Sequence, residues 1–153
     1  MIKILFLEDD DYMRNHTENL LATEHINNIG FDVKACGRID LAKKYFKKNK
    51  KEIDCIVTDL NMSDEWLNEY SRESFGCILS GWVWLYHFVF SEEPDMPIVI
   101  YSGFLNDLKA DNIPIEQRPY LKKQNIKCVA KGADEDNGFN GLIKAIKQVL
   151  QKR

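Results

Sequence analysis

Short, mostly apolar runs alternate along this chain with stretches of helical spacing, and that alternation limits the fold more than any other feature. The runs are Ile2–Leu7, Phe31–Ala35, Ile53–Thr58, Pro97–Tyr101 and Ile126–Ala130. Between them, Tyr12–Asn28 repeats Met13, Thr17, Leu20 and Leu21 at helical spacing, with Gly30 as a plausible stop. Asp40–Lys50 sets Leu41, Ala42, Tyr45 and Phe46 against a lysine-rich side, and Gly81–Phe90 carries Trp82, Leu85, Tyr86 and Val89. Phe139–Gln151 repeats Leu142, Ile143, Ile146, Val149 and Leu150 on one face. Strands spaced by helices make βαβ units and a parallel sheet. Right-handed crossovers then give a doubly wound α/β/α sandwich of five strands.

Composition narrows the class. A length of 153 residues fits a single domain over 1–153, with 44% hydrophobic and 29% charged residues. The net charge of −3 argues against broad nucleic-acid binding. No apolar run approaches the roughly 20 residues of a membrane span. The opening Met1–Leu7 runs too soon into acids for a signal peptide and reads as a strand. Cys36, Cys55, Cys77 and Cys128 are scattered without metal-ligand spacing. Cys55 and Cys128 lie in strand-like runs, so buried reduced thiols and a cytoplasmic location are expected. His16, His25 and His87 do not cluster, which argues against zinc.

Two segments exceed a minimal alternation. Ser63–Ser80 is longer than an ordinary βα loop and mixes Asp64, Glu65, Glu69 and Glu73 with Trp66, Leu67, Tyr70 and Phe75. It reads as an insertion forming a structured flap. In Gly103–Asn125, Pro114 and Pro119 interrupt what would otherwise be one helix. A short helix, a kinked loop and a turn of helix starting near Pro119 are expected there.

In a parallel sheet every C-terminal strand tip lies on one edge, where open α/β sheets place their chemistry. The first strand delivers Glu8 and Asp9, the third Asp59, the fourth Ser102 and the fifth Lys131. Three carboxylates converging on one edge repel one another and call for a cation. All-oxygen ligation suits Mg²⁺. With a cation present, Asp59 stays ionised and can attack an electrophilic phosphorus, while Lys131 and Ser102 can meet the phosphoryl oxygens. Each residue alone has a plainer reading. Glu8–Asp11 can cap a helix, Asp59 can be a loop or cap residue, Ser102 a turn hydroxyl and Lys131 a solvated lysine. It is the four strand tips together that favour chemistry. The lysines at 43, 44, 47, 48, 50 and 51 read as the solvated side of a helix, and Trp82, Trp84, Tyr86 and Phe88 as packing.

Leu5-Phe6-Leu7-Glu8-Asp9-Asp10, Val57-Thr58-Asp59-Leu60-Asn61-Met62, Ile98-Val99-Ile100-Tyr101-Ser102-Gly103 and Val129-Ala130-Lys131-Gly132 resemble the four motifs of the receiver domain of two-component response regulators. The resemblance covers nearly the whole chain. It implies a flavodoxin-like five-stranded sheet of order 2-1-3-4-5. It implies that Asp59 is the phosphoacceptor, taking its group from the phosphohistidine of a histidine kinase or phosphotransfer protein. Glu8 and Asp9 match the acidic pair that holds Mg²⁺ (or Mn²⁺), together with Asp59 and the backbone carbonyl of Asn61. Ser102 and Lys131 match the residues that contact the phosphoryl group.

The departures from that pattern are specific. Ser63 stands where receivers have a proline, and their Asp-Gly opening the third helix corresponds to Ser80-Gly81, displaced downstream. Gly132 replaces the proline whose bond to the lysine is cis, and Cys128 replaces the aromatic switch residue. Only Lys152-Arg153 follow the last helix, so output through an unknown protein partner, with a homodimer as one form, is expected instead of through an effector domain. The Ser63–Ser80 flap, anchored by Trp66 or Tyr70, is expected to cover the phosphorylation site. A flavodoxin or nucleotide module would need a phosphate cradle where Glu8–Asp11 stands. A haloacid-dehalogenase-like phosphatase would need a second Asp at Asn61. A phosphorylation-independent pseudo-receiver, acting as an interaction module, remains the alternative.

Overall fold

The computed structural model describes residues 1–62, 78–132 and 136–151. In chain order these form β1 (Ile2–Leu7), α1 (Asp11–Ala22), β2 (His25–Ile26), β3 (Ile29–Cys36), α2 (Ile39–Asn49), β4 (Cys55–Thr58), α3 (Ser80–Trp84), β5 (Ile98–Ser102), β6 (Ile126–Ala130) and α4 (Phe139–Gln151). The sheet order is β2-β3-β1-β4-β5-β6. All pairings from β3 to β6 are parallel; only β2 runs antiparallel, against β3.

Alternation along β1 shows how the layers arise, because successive side chains of a strand point to opposite faces. Leu5 and Leu7 pack with Ile39, Phe46, Trp82 and Trp84 on the α2–α3 face. Ile4 and Phe6 pack with Leu21, Leu142, Ile146 and Val149 on the α1–α4 face. The expected three-layer sandwich is therefore present, with a core on each side of the sheet.

Where the sequence implied one helix over Tyr12–Asn28, α1 stops at Ala22. Asp10 caps its start by accepting from the Met13 amide at 2.8 Å. The backbone N–H and hydroxyl of Thr23 both turn back to the Leu20 carbonyl. Residues 25–30 then form a hairpin whose two turn residues, Asn27 (φ 52) and Asn28 (φ 67), are left-handed. A two-residue hairpin with positive φ at both positions matches the right-handed twist of its strands, and asparagine tolerates that backbone. The sheet thus has six strands in place of five, and Gly30 lies inside β3. Asn28→Val is expected to cost about 1–2 kcal/mol, the penalty of a β-branched residue in the left-handed region, whereas Asn28→Gly retains stability. Urea denaturation midpoints of the two variants check this.

Two more expectations are adjusted. The third helix continues past Trp84 as a π-helical turn over Leu85–Val89, with Phe90 N donating to Leu85 O. The segment after β5 holds three 3-10 stretches, Leu105–Asp107, Ala110–Asn112 and Ile115–Lys122, the last enclosing Pro119 instead of starting at it. Its buried Gln117 accepts from the Trp82 indole N–H at 2.8 Å, which ties this segment to α3. Cys55 is buried as expected, but Cys128 is exposed. The reason is position: β6 is an edge strand, and Lys127, Cys128 and Ala130 are all exposed. Among the described residues no helix is long and apolar enough to cross a membrane.

Candidate functional site

Backbone ladders carry the acidic residues to the sheet edge. The Glu8 amide donates to the Cys36 carbonyl at the end of β3, and the Asp59 amide to the Leu7 carbonyl, both at 3.1 Å. Glu8 and Asp59 thereby become buried residues at the C-terminal tips of β1 and β4. Asp9, half-buried, completes a group in which one carboxylate oxygen from each residue lies within 4.8 Å of the others. That is close enough for one small cation to be shared, and carboxylate oxygens are the ligands that Mg²⁺ prefers. The donor set fits the metal.

Lys131 enters the cluster from the end of β6. Its ammonium pairs with Asp59 Oδ2 at 2.6 Å and with Glu8 Oε1, and it lies 5.3 Å from the centre of the Tyr101 ring. Burial by itself would lower the Lys131 pKa, but the Asp59 and Glu8 carboxylates outweigh it and the net shift is upward. The lysine is charged. The Glu8 pKa also shifts upward: burial pushes it up and Lys131 only partly offsets this. A carboxyl whose folded pKa is raised stabilises the fold below its unfolded pKa and loses that contribution as pH rises through the folded value. In metal-free buffer, Glu8→Gln is therefore expected to raise the thermal midpoint at pH 7. The difference should disappear toward pH 4. Melting curves in EDTA at both pH values check it, and equal midpoints at pH 7 would contradict it.

A clasp behind Asp59 sets the following loop. Asp59 Oδ1 accepts from the Leu60 amide at 2.7 Å, and the Thr58 hydroxyl donates to the Asp59 carbonyl at 3.0 Å. The Ser80 hydroxyl accepts from Met62 N at 2.7 Å and is within donating distance of Met62 O (2.7 Å) and Leu60 O (3.1 Å). Gly81 N donates to Leu60 O, and a Cβ on Gly81 would lie 1.9 Å from the Asp59 carbonyl oxygen. Ser80 and Gly81 open α3 as the motif comparison implied. What the sequence did not announce is that this serine hydroxyl holds the Asp59 loop. A Ser-Gly pair has no periodic signature.

Ser102 is buried at the end of β5; its hydroxyl accepts from Phe104 N at 3.1 Å, and its carbonyl accepts from Lys131 N at 3.1 Å. Asn61 is half-buried in the loop two residues beyond Asp59. Trp66 and Tyr70 lie outside the described residues. All peptide bonds among the described residues are trans, Lys131–Gly132 included, and Gly132 adopts φ +73. Glycine reaches that conformation freely, so the loop after Lys131 turns by a left-handed residue. Arg14, which sequence reasoning did not single out, donates to the carbonyls of Glu8 (3.0 Å) and Asp9 (3.4 Å) and pairs with Asp11.

No family model and no curated protein matches the sequence. Solved structures do match. A response regulator receiver domain protein from Clostridium thermocellum superposes with a TM-score of 0.65 at 18% identity, covering 99% of this chain and 96% of that one. The fold is that of a receiver domain. The receiver domain of the hybrid histidine kinase CckA gives 0.57 at 19% identity, over 97% and 99% of the two chains. The phosphorylated cyanobacterial phytochrome response regulator RcpA gives 0.56 at 17%, over 98% and 94%. With the two-residue β2 set aside, β3-β1-β4-β5-β6 is the flavodoxin-like order 2-1-3-4-5 of the receiver fold.

Proposed function

We propose that the chain is a phosphoacceptor receiver. An Asp59 carboxylate oxygen attacks the phosphorus of a phosphohistidine on a histidine kinase or phosphotransfer protein. The P–O bond forms as the P–N bond breaks, and the leaving imidazole nitrogen keeps the electron pair and takes a proton. Glu8, Asp9, Asp59 and the Asn61 carbonyl would hold Mg²⁺, which supplies positive charge against the phosphoryl oxygens when bound. Lys131 offers a second positive charge and Ser102 a hydroxyl donor. The phosphorylated state signals through a protein partner, in the cytoplasm, with no turnover of an external substrate. The observation that carries the reading is the Lys131 ammonium held between Asp59 and Glu8 within a three-carboxylate cluster.

Intact mass after incubation with Mg²⁺ and acetyl phosphate tests it. The expected result is a gain of one phosphoryl group, absent in EDTA. A protein that binds Mg²⁺ yet gains no mass would instead be a phosphorylation-independent interaction module. The exposed Cys128 at the switch position favours that second reading.

A further inference from the structure

A cleft of about 690 Å³ lies between the C-terminal end of β3 and α2. Residues 35–37, Leu41 and Tyr45 line it, together with the cations Arg14, Lys34, Lys44 and Lys48. Among the described residues no carboxylate lines it. Arg14 is already committed to Asp11, but the lysines are not so placed. Lys34 lies 5.6 Å from the centre of the Tyr45 ring, and Lys44 and Lys48 sit one turn apart on the same side of α2. Like charges at that spacing destabilise a helix. Farther along the same segment, Lys50 and Lys51 are each answered by a glutamate, Glu92 and Glu93, at 2.7 Å. Lys44 and Lys48 form no ion pair among the described residues, and Asp40, one turn before Lys44, is engaged by Arg38 at 2.8 Å.

We propose that this cleft binds a nucleotide. The volume falls within the roughly 300–1,000 Å³ of small-ligand sites, whereas an extended polyanion needs no recess. Inorganic phosphate would use the cations and leave Leu41 and Tyr45 without a contact. A planar base against Tyr45, in the layer that Lys34 now shares, and phosphates toward Lys44 and Lys48 use both halves. This proposal is independent of phosphoryl transfer at Asp59.

Isothermal titration of the full chain in EDTA with AMP, GMP, ATP and GTP tests it, with adenosine and inorganic phosphate as partial probes. At least one nucleotide is expected to bind with a dissociation constant below about 1 mM, and Lys44→Gln/Lys48→Gln to weaken it about tenfold or more. Both substitutions are at exposed positions, so the fold is retained, as circular dichroism would verify. Lys50→Gln/Lys51→Gln on the neighbouring turn should change affinity by less than about twofold. Binding by none of the four nucleotides would overturn the proposal. Inorganic phosphate binding as tightly as the best nucleotide would overturn it too, as would equal weakening by the two double variants, which would mark a general cationic field.

Discussion

Asp59→Asn protein incubated with Mg²⁺ and acetyl phosphate is expected to show no added phosphoryl group, against about one per chain for the wild type. The amide has nearly the shape of the carboxylate, and its oxygen can still accept from Leu60 N as Asp59 Oδ1 does at 2.7 Å. What it lacks is the anionic nucleophile and one of the three negative charges that draw a cation. The effect should therefore be on chemistry and metal affinity, with the loop after β4 still in place. Circular dichroism and thermal melting of the variant separate the two. An unchanged fold with no adduct assigns the nucleophile to Asp59, while an adduct retained by the variant assigns the acceptor to another residue.

Gly81→Ala should have the largest effect on stability of any single methyl group added near the site. Its Cβ would sit 1.9 Å from the Asp59 carbonyl oxygen and 3.0 Å from both Asp59 C and Leu60 Cα. These are backbone atoms, so no rotamer change relieves the clash. Either the start of α3 or the Asp59 loop must move, and the Gly81 N to Leu60 O bond of 2.7 Å opposes both. Overpacking of this kind costs about 3 kcal/mol, equivalent to a fall in thermal midpoint of about 6–12 °C for a chain of this size. Displacement of Asp59 should slow phosphoryl uptake as well. Gly103→Ala is the matched control, because nothing lies within 4 Å of the added methyl there. Equal midpoints for the two variants would refute the argument.

The parts of this fold that could be read from the sequence are those whose signal is local and strong. Short apolar runs and sustained helical periodicity are such signals, and Ile2–Leu7, Ile126–Ala130 and Phe139–Gln151 were expected and found at the same bounds. Parallel strands place their tips on one edge, and the pairing of β1 with β4 brings Glu8, Asp9 and Asp59 together there. The hairpin at residues 25–30 escaped because a two-residue strand carries no periodicity, and its decisive residues are two left-handed asparagines inside an apparently helical pattern. Cys128 was misplaced because Val129 and Ile126 look alike in a central and an edge strand. Only the sheet order tells them apart. The clasp by Ser80 escaped for a third reason: it joins residues 18 apart, and no spacing rule links a lone serine to Met62.

That clasp has a consequence for how the chain tolerates change. Met62 and Ser80 are tied to each other by two contacts of 2.7 Å, which join the loop after β4 to the first residue of α3. Closing a flexible loop costs only about 0.6 kcal/mol more for each doubling of its length. A junction pinned in this way is a natural graft point, at which sequences of different length can be exchanged while Asp59, just upstream of Met62, keeps its position.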